Sequence, residues 1–105
     1  MKISELTDKQ GNVDIELRII WDKAEPKDMF GKKIKAVIVA DIDEKEGPTA
    51  YLDIYNGNID KLHAGDQIRV TNAYAKLVKN DSGQFRITNA KGIELIGKVE
   101  LEEKK

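Results

Sequence analysis

The chain has 105 residues, no cysteine and a net charge of −1 at pH 7. This length fits one domain, and the absence of cysteine excludes disulfides and thiolate metal sites. With one histidine and no Ser-His or paired-carboxylate arrangement, no catalytic centre can be assembled, so we expect a non-enzymatic protein without a cofactor.

The first predicted element is a long strand over residues 13–22. Its apolar parity consists of Val13, Ile15, Leu17, Ile19 and Trp21. Ile20 interrupts the alternation, which predicts a bulge or bend at this point. Long, bent first strands allow small barrels to close. On this pattern Trp21 faces inward and packs in the core or at the end of the barrel.

A loop is predicted over residues 23–33, because Pro26 and Gly31 would interrupt a helix or strand there. A second strand follows over residues 32–41. Its residues 36–40 are apolar on both parities, so the pattern assigns no faces there. The next segment, DEKEGP over residues 43–48, predicts a turn.

The third strand alternates clearly and leads into a very short helix. Its inward set is Ala50, Leu52 and Ile54, and its outward set is Tyr51, Asp53 and Tyr55. The two tyrosines are then about 13 Å apart. Asn58 is placed to cap the helix and Gly65 to stop it. Ile59 and Leu62 fall on one side of the helix, where they could plug an open barrel end.

A fourth strand is predicted after Asp66, with a bulge near Asn72 that shifts its parity. Its inward set is Ile68, Val70, Ala73, Ala75 and Leu77, and Tyr74, Lys76 and Val78 point outward. After a hairpin turn at residues 80–83, a fifth strand has Phe85 and Ile87 inward and Gln84, Arg86 and Thr88 outward. Residues 93–96 form a last pairing segment. We expect a domain over residues 1–97 and a charged tail or linker over residues 98–105.

Five strands with a short helix between the third and fourth predict an all-β protein, a five-stranded OB-fold barrel. Five short motifs occur in order: Ala24-Glu25-Pro26-Lys27, Val39-Ala40-Asp41, Leu52-Asp53-Ile54-Tyr55-Asn56, Ala64-Gly65-Asp66 and Asn72-Ala73-Tyr74. In these motifs and their spacing, residues 12–97 resemble the OB domains of archaeal single-stranded DNA-binding proteins and of replication protein A.

The resemblance implies single-stranded DNA binding with little sequence preference, in DNA replication or DNA repair. In that family an aromatic residue ending the third strand and a tyrosine in the fourth stack on bases, and Tyr55 and Tyr74 match them. Val78 and Thr88 stand at positions where relatives carry further aromatic residues, and Lys91 is the cation nearest to the family's basic residue. The turn at residues 43–48 is also longer than the family's acidic-Thr-Gly hairpin. Fewer stacking residues imply weaker affinity.

The charge is unevenly distributed along the chain. Residues 23–35 carry five Lys against two acids, residues 67–92 carry five Lys or Arg against one acid, and residues 41–66 carry seven acids against two Lys. The two basic segments include the loops that flank the binding groove of OB-folds. We expect phosphate contacts from the loop residues Lys23, Lys27, Lys32, Lys33 and Lys79 and from the strand residues Arg18, Lys76 and Arg86, with Lys91 beside them. A salt-bridged surface without a net field is the alternative.

Other features carry less weight. The acidic residues Asp41, Asp43, Glu44 and Glu46 lack calcium-loop spacing, and we expect no metal. His63 is expected to be solvated, and nothing in the family pattern supports a contact by Tyr51. No apolar run reaches membrane-spanning length, so we expect a cytoplasmic protein with no membrane partner. Two alternative functions are open: a protein-interaction OB domain that binds other replication or repair proteins, and RNA binding by the same face.

Overall fold

The computed structural model describes residues 2–42, 47–78 and 84–98. Along the described chain run the 3₁₀-helix Ile3–Glu5, strands β1 (Gln10–Trp21), β2 (Lys27–Met29), β3 (Lys32–Asp41) and β4 (Thr49–Tyr55), helix α1 (Asn58–Lys61), and strands β5 (Asp66–Leu77), β6 (Phe85–Thr88) and β7 (Gly92–Lys98). Helices in this part of the chain are all too short to cross a bilayer.

Five of the strands close into a barrel. Their order is β1-β3-β4-β6-β5, and β5 pairs back with β1 to complete the circle. Neighbouring strands are antiparallel except β4 and β6, which run parallel. With a short helix between β4 and β5, this is the arrangement of the OB-fold, and the predicted all-β OB-fold barrel is confirmed.

Aliphatic side chains fill the barrel, because each strand sends alternate residues to its inner face. The residues that are fully excluded from solvent include Leu17, Ile19, Val37, Val39, Leu52, Ile54, Ile68, Val70 and Ile87. The inward sets predicted for the third, fourth and fifth strands are buried or packed against this core, apart from Leu77, which is half-buried. In β3, whose faces the sequence left unassigned, Val37 and Val39 point inward.

The bulge predicted in the fourth strand is present. Val13 pairs with Ala73 and Ile15 with Val70, so β5 has one more residue than β1 between these pairs. Asn72 takes up the extra length with a φ of 52°, in the left-handed region that Asn tolerates better than most residues. Because of this bulge, both halves of β5 send apolar side chains into the same barrel.

A second bulge, in β1, makes the prediction for Trp21 wrong. Ile19 pairs with Val39 while Trp21 pairs with Ile38, so two steps along β1 correspond to one step along β3. The parity of β1 therefore reverses after Ile19, and Trp21 is 41% exposed instead of packed inside. The sequence predicted the bulge, but the reversal of inward and outward positions that a bulge causes was not applied to Trp21.

Helix α1 lies at one end of the barrel, and its predicted caps are wrong. Asn58 is the first helical residue, and the N-cap is Gly57, with no side-chain capping hydrogen bond. The helix ends at Lys61, whereas Gly65 has a φ of 99° in the turn before β5 and donates its N–H to the carbonyl oxygen of Ile19 at 2.7 Å. The predicted plug is confirmed, because Ile59 and Leu62 are both buried in the core.

The segment predicted as a loop over residues 23–33 contains a strand. In β2, Lys27 pairs with Ile34 and Met29 with Lys32, which makes a β2–β3 hairpin. Three residues are too few for an alternation that sequence could reveal. Phe30 and Gly31 connect the strands with φ angles of 54° and 78°, and positive φ at both central residues is the pattern of a type I′ turn.

The last predicted pairing segment is also confirmed, as β7 runs antiparallel to β5. It extends to Lys98, which the sequence had assigned to the tail. Most of the turn predicted at residues 43–48, namely residues 43–46, lies outside the described residues. The same holds for the predicted hairpin turn at residues 80–83 and for the rest of the tail, residues 99–105.

Candidate nucleic-acid interface

The outer side of four adjacent strands forms one continuous surface. In the strand registers Ile34 is opposite Tyr55, Ile38 is opposite Tyr51, which is opposite Arg86, and Tyr74 is opposite Thr88. Directly opposite residues lie on the same side of a sheet. We define the tyrosine face as the outward residues of β3, β4, β6 and β5: Ile34, Ala36, Ile38, Tyr51, Asp53, Tyr55, Arg86, Thr88, Tyr74 and Lys76.

Tyr55 is held across this face by its hydroxyl group. The Tyr55 hydroxyl is 2.7 Å from Oγ1 of Thr88 and accepts a longer hydrogen bond, 3.3 Å, from the backbone N–H of Asn89. The ring therefore extends from β4 towards β6 and is half-buried. Because the backbone of β4 holds one end of this side chain and these bonds hold the other, the orientation of the ring does not have to be selected when a ligand binds.

Tyr74 lies on β5, on the other side of Thr88 from Tyr55. It is half-buried, and Lys76, two residues further along the same outward side, is exposed. Thr88 thus separates the two predicted stacking residues. A threonine is small, so the surface between the two aromatic rings is not filled by a third ring at this position.

Arg86 lies at the centre of the tyrosine face and is already paired. Its Nη1 donates to Oδ1 of Asp53, and its guanidinium carbon is 5.2 Å from the ring centre of Tyr51. The carboxylate neutralises much of the field of this cation, and the cation–π contact fixes its plane. About 39% of the Arg86 side chain remains exposed, so it can still contact a phosphate from its solvent side.

Two clefts adjoin Tyr55, one on each side. The first, of about 500 Å³, lies between the β2–β3 hairpin and the tyrosine face and is lined by Ala24, Glu25, Lys27, Met29, Ile34, Ala36, Asp53, Tyr55, Arg86 and Thr88. The second, of about 480 Å³, is lined by Lys32, Tyr55, Asn56, Asn89, Ala90 and Lys91. Tyr55 is common to both clefts, so a chain laid across the tyrosine ring would enter each of them.

Predicted cations lie along this path. Lys27 lines the first cleft, Lys32 and Lys91 line the second, and Lys76 is exposed on the tyrosine face itself. Lys23 is exposed but lines neither cleft. The structure therefore places four lysines from three separate segments of sequence around the two tyrosines.

Two other predicted cations are not placed in this way. Arg18 lies on the outer side as predicted, opposite Ala40, but it is only 9% exposed and its Nε donates to the carbonyl oxygen of Asp41 at 3.0 Å, so its guanidinium group is covered. Lys33 is exposed but opposite Asp28, on the side of the hairpin away from the clefts. Lys79 lies outside the described residues.

Trp21, which alternation predicted to face inward, lies on the outer side of the barrel. It is opposite Ile38, an outward residue of the tyrosine face, and so extends that face by one strand. The resulting cross-strand row is Trp21, Ile38, Tyr51, Arg86 and Lys76. The signal was available, because Ile20 marks the bulge that reverses the parity.

Several charged residues belong to other parts of the molecule. Arg69, on β5, is bound to Glu16 at 2.9 Å and Glu94 at 3.5 Å, and the hydrogen bond and charge of Glu16 raise the pKa of its guanidinium group. Asp41 is buried and accepts the backbone N–H of Ile3 at 3.0 Å. His63 is largely exposed, as predicted, with its Nδ1 3.7 Å from the Asp22 carboxylate. In the described ranges no three His, Cys, Asp or Glu side chains are grouped to hold a metal ion.

Comparison with known protein families and with curated proteins found no match to this sequence. Half-buried aromatic rings, two clefts and flanking lysines on the outer side of an OB-fold barrel form a surface that suits unstacked bases joined by phosphates.

Proposed function

We propose that this protein binds single-stranded DNA through the tyrosine face and its two flanking clefts, largely without sequence preference. Bases stack on Tyr55 and Tyr74, and the phosphates between them are contacted by lysines at the edges of the clefts. The resemblance to OB domains of DNA-binding proteins supports a role in replication or repair.

The observation that carries the proposal is the position of Tyr55. Its ring borders both clefts, its hydroxyl is fixed by Thr88, and lysines lie on either side of it. A tyrosine that only covered a neighbouring strand would not need cations along both sides. Stacking tolerates every base, because every base has an aromatic face, which accounts for the lack of sequence preference.

The expected affinity is modest. Stacking contributes about 1–3 kcal/mol per base, and the tyrosine face provides two matched platforms, with Trp21 at its edge as a further candidate. The pairing of Arg86 with Asp53 leaves the phosphate contacts mainly to exposed lysines. A single domain of this kind would gain from neighbouring binding modules by raising the effective concentration.

The deciding experiment is a fluorescence anisotropy titration of labelled oligo-dT with the wild type, Tyr55→Ala and Tyr74→Ala at low and moderate salt. We expect each substitution to weaken binding by about five- to hundredfold, which corresponds to about 1–3 kcal/mol. Phe85→Leu is not a suitable control because this side chain packs against the core. Leu95→Ala is suitable, because Leu95 is 48% exposed on β7, away from the tyrosine face.

The results separate the parts of the proposal. No binding by the wild type at low salt would refute DNA binding altogether. Binding by the wild type with unchanged affinity in both tyrosine variants would refute stacking and leave an electrostatic surface. A parallel titration with oligo-U distinguishes DNA from RNA, which the same stacking surface could hold.

A second candidate function, docking of another protein, is favoured by one observation. Leu95 and Ile96 are 48% and 37% exposed next to each other on β7, and exposed apolar neighbours are typical of protein contacts. Backbone NMR shifts on addition of oligo-dT would test this alternative. Shifts on β4 and β6 that spare β7 would support the proposed function, and an absence of shifts on β4 and β6 would favour docking.

A further inference from the structure

The turn of the β2–β3 hairpin carries a residue that is unfavourable there for two independent reasons. Phe30 is 95% exposed, so its ring forgoes the favourable free energy that burial of an aromatic side chain would provide. It also has a φ of 54°, in the left-handed region that costs a bulky residue more than Asn or Gly. The two-residue turn of this pattern strongly prefers Asn-Gly, yet the chain has Phe30-Gly31.

The hairpin presents apolar and basic groups on the same side. Met29 precedes Phe30, is 46% exposed and lines the first cleft together with Lys27 and Tyr55. Lys32, opposite Met29 in the hairpin, lines the second cleft. The turn that carries Phe30 therefore joins the borders of both clefts.

We propose that Phe30 is a base platform at the tip of this hairpin, which receives a nucleotide next to the one stacked on Tyr55. This inference rests on the proposed single-stranded DNA binding and adds a third aromatic contact to it. Met29 supplies the apolar floor between the two rings, and Lys27 and Lys32 contact the phosphates on either side. The strained and exposed position of Phe30 is then compensated when a base covers the ring.

The charge around the tip favours a nucleic acid over an apolar partner. The hairpin and its approach, residues 23–35, carry five Lys against two acids, and Lys27, Lys32 and Lys33 are all exposed. An aromatic ring between cations is the combination that binds an unpaired base with its phosphates. A purely apolar partner would have to desolvate these ammonium groups without neutralising them.

The test compares four substitutions of Phe30 in oligo-dT binding. Phe30→Ala and Phe30→Asn are expected to weaken binding by about five- to hundredfold, Phe30→Leu to weaken it less, and Phe30→Tyr to keep it within about twofold. Phe30→Asn is also expected to leave the urea unfolding midpoint unchanged or raised, because Asn suits this backbone. A loss of binding without a loss of stability identifies a contact and not a folding defect. Leu95→Ala, also exposed and apolar, should bind as the wild type does.

Failure of this inference is distinct from failure of the proposed function. If Phe30→Ala and Phe30→Asn bind as the wild type does while Tyr55→Ala loses affinity, Phe30 is no base platform and the tyrosine face stands. If Phe30→Leu keeps full affinity, the contact is apolar and stacking on Phe30 is overturned. If the wild type does not bind oligo-dT, both are overturned together.

Discussion

Tyr55 differs from an ordinary surface tyrosine in how firmly its ring is held. Its hydroxyl contacts Thr88, on β6, and Asn89, directly after β6, whereas its own backbone belongs to β4. The loss of side-chain freedom that stacking requires has therefore largely occurred during folding. Preorganised contacts of this kind raise affinity because less entropy is lost on binding.

We expect Tyr55→Phe to lower the free energy of unfolding by about 0.5–1.5 kcal/mol, because the hydrogen bond to Thr88 is lost. Oligo-dT affinity should fall less than in Tyr55→Ala, since the ring is kept. Thr88→Val is the matched change on the other side of the bond. Urea unfolding of both single variants and the double variant measures their coupling, and strictly additive effects would show that the hydrogen bond contributes nothing.

Asp53 is an acid at the centre of a surface that we propose binds an anion. It holds Arg86, so its removal has two opposite effects. Asp53→Asn should raise oligo-dT affinity by about fivefold, on the order of 1 kcal/mol, because a like charge is removed and Arg86 is released to phosphate. Stability should fall, because Arg86 loses its ionic partner.

Anisotropy and urea unfolding of Asp53→Asn measure the two effects separately. Glu25→Gln is a matched control. Glu25 lines the same cleft, but the carboxylate that pairs with Arg86 is that of Asp53. Reduced affinity in Asp53→Asn would mean that Asp53 orients Arg86 for binding instead of competing with the phosphate.

For single residues, the sequence predicted the side of the barrel better than it predicted the side-chain contacts. Alternation correctly put Tyr55, Tyr74 and Arg86 on the outer side of the barrel, because side-chain direction follows from strand periodicity. It could not predict that Tyr55 reaches Thr88 or that Asp53 neutralises Arg86, because these contacts depend on the parallel register of β4 and β6. Nor could it predict that Arg18, on the outer side, is covered and bound to the carbonyl oxygen of Asp41, 23 residues away in sequence.

The strands and the helix differ in how well the local sequence predicts them. The long strands were predicted closely, because β1 and β5 alternate over many positions and β3 contains a run of apolar residues that favour strands. Strand β2 was missed, because three residues cannot show a period and its pairing with β3 decides its conformation. The α1 caps were wrong because Gly57 already has helical backbone angles, which places the helix start before Asn58 contributes its side chain.

Helix α1 contributes to stability through packing, since four residues form too little helix to be stable alone. Leu62→Ala should therefore lower the free energy of unfolding by about 2–5 kcal/mol, as for other buried leucines. The substitution is distant from the tyrosine face, so oligo-dT affinity should stay within about twofold under conditions where the variant is folded.

Thermal and urea unfolding measure the effect of Leu62→Ala, and Lys61→Ala, at the exposed last residue of the helix, is the control. A loss below about 0.5 kcal/mol would mean that the barrel end collapses around the smaller side chain without a remaining cavity.

For the whole molecule, the distribution of charge matters more than its sum. The net charge is −1, yet Lys27, Lys32, Lys76 and Lys91 come together around the tyrosines, whereas Arg69 is paired elsewhere. Composition alone located the basic segments but could not separate these lysines from Lys33 on the far side of the hairpin.

This arrangement predicts the salt dependence of binding. With four lysines engaged, the logarithm of the oligo-dT association constant should fall with the logarithm of salt concentration with a slope of about −3, at about 0.7 per phosphate contact. Lys32→Gln should reduce the slope by about 0.7, and Lys61→Gln, which lines neither cleft, should leave it unchanged. Titrations at four salt concentrations test this, and equal slopes in both variants would exclude Lys32 from the phosphate path.

The closure of the barrel by β1 and β5 also has a consequence for how the protein folds. Asp14 and Asn72, joined by a hydrogen bond of 2.8 Å across this seam, are 58 residues apart in sequence. Pairings over such distances form late and slowly. Tyr74 is placed next to Thr88 by the pairing of β5 with β6, so the tyrosine face can assemble from β3, β4, β6 and β5 before β1 and β5 pair. Oligonucleotide binding by a refolding chain would therefore report the assembly of these four strands and not the closure of the barrel.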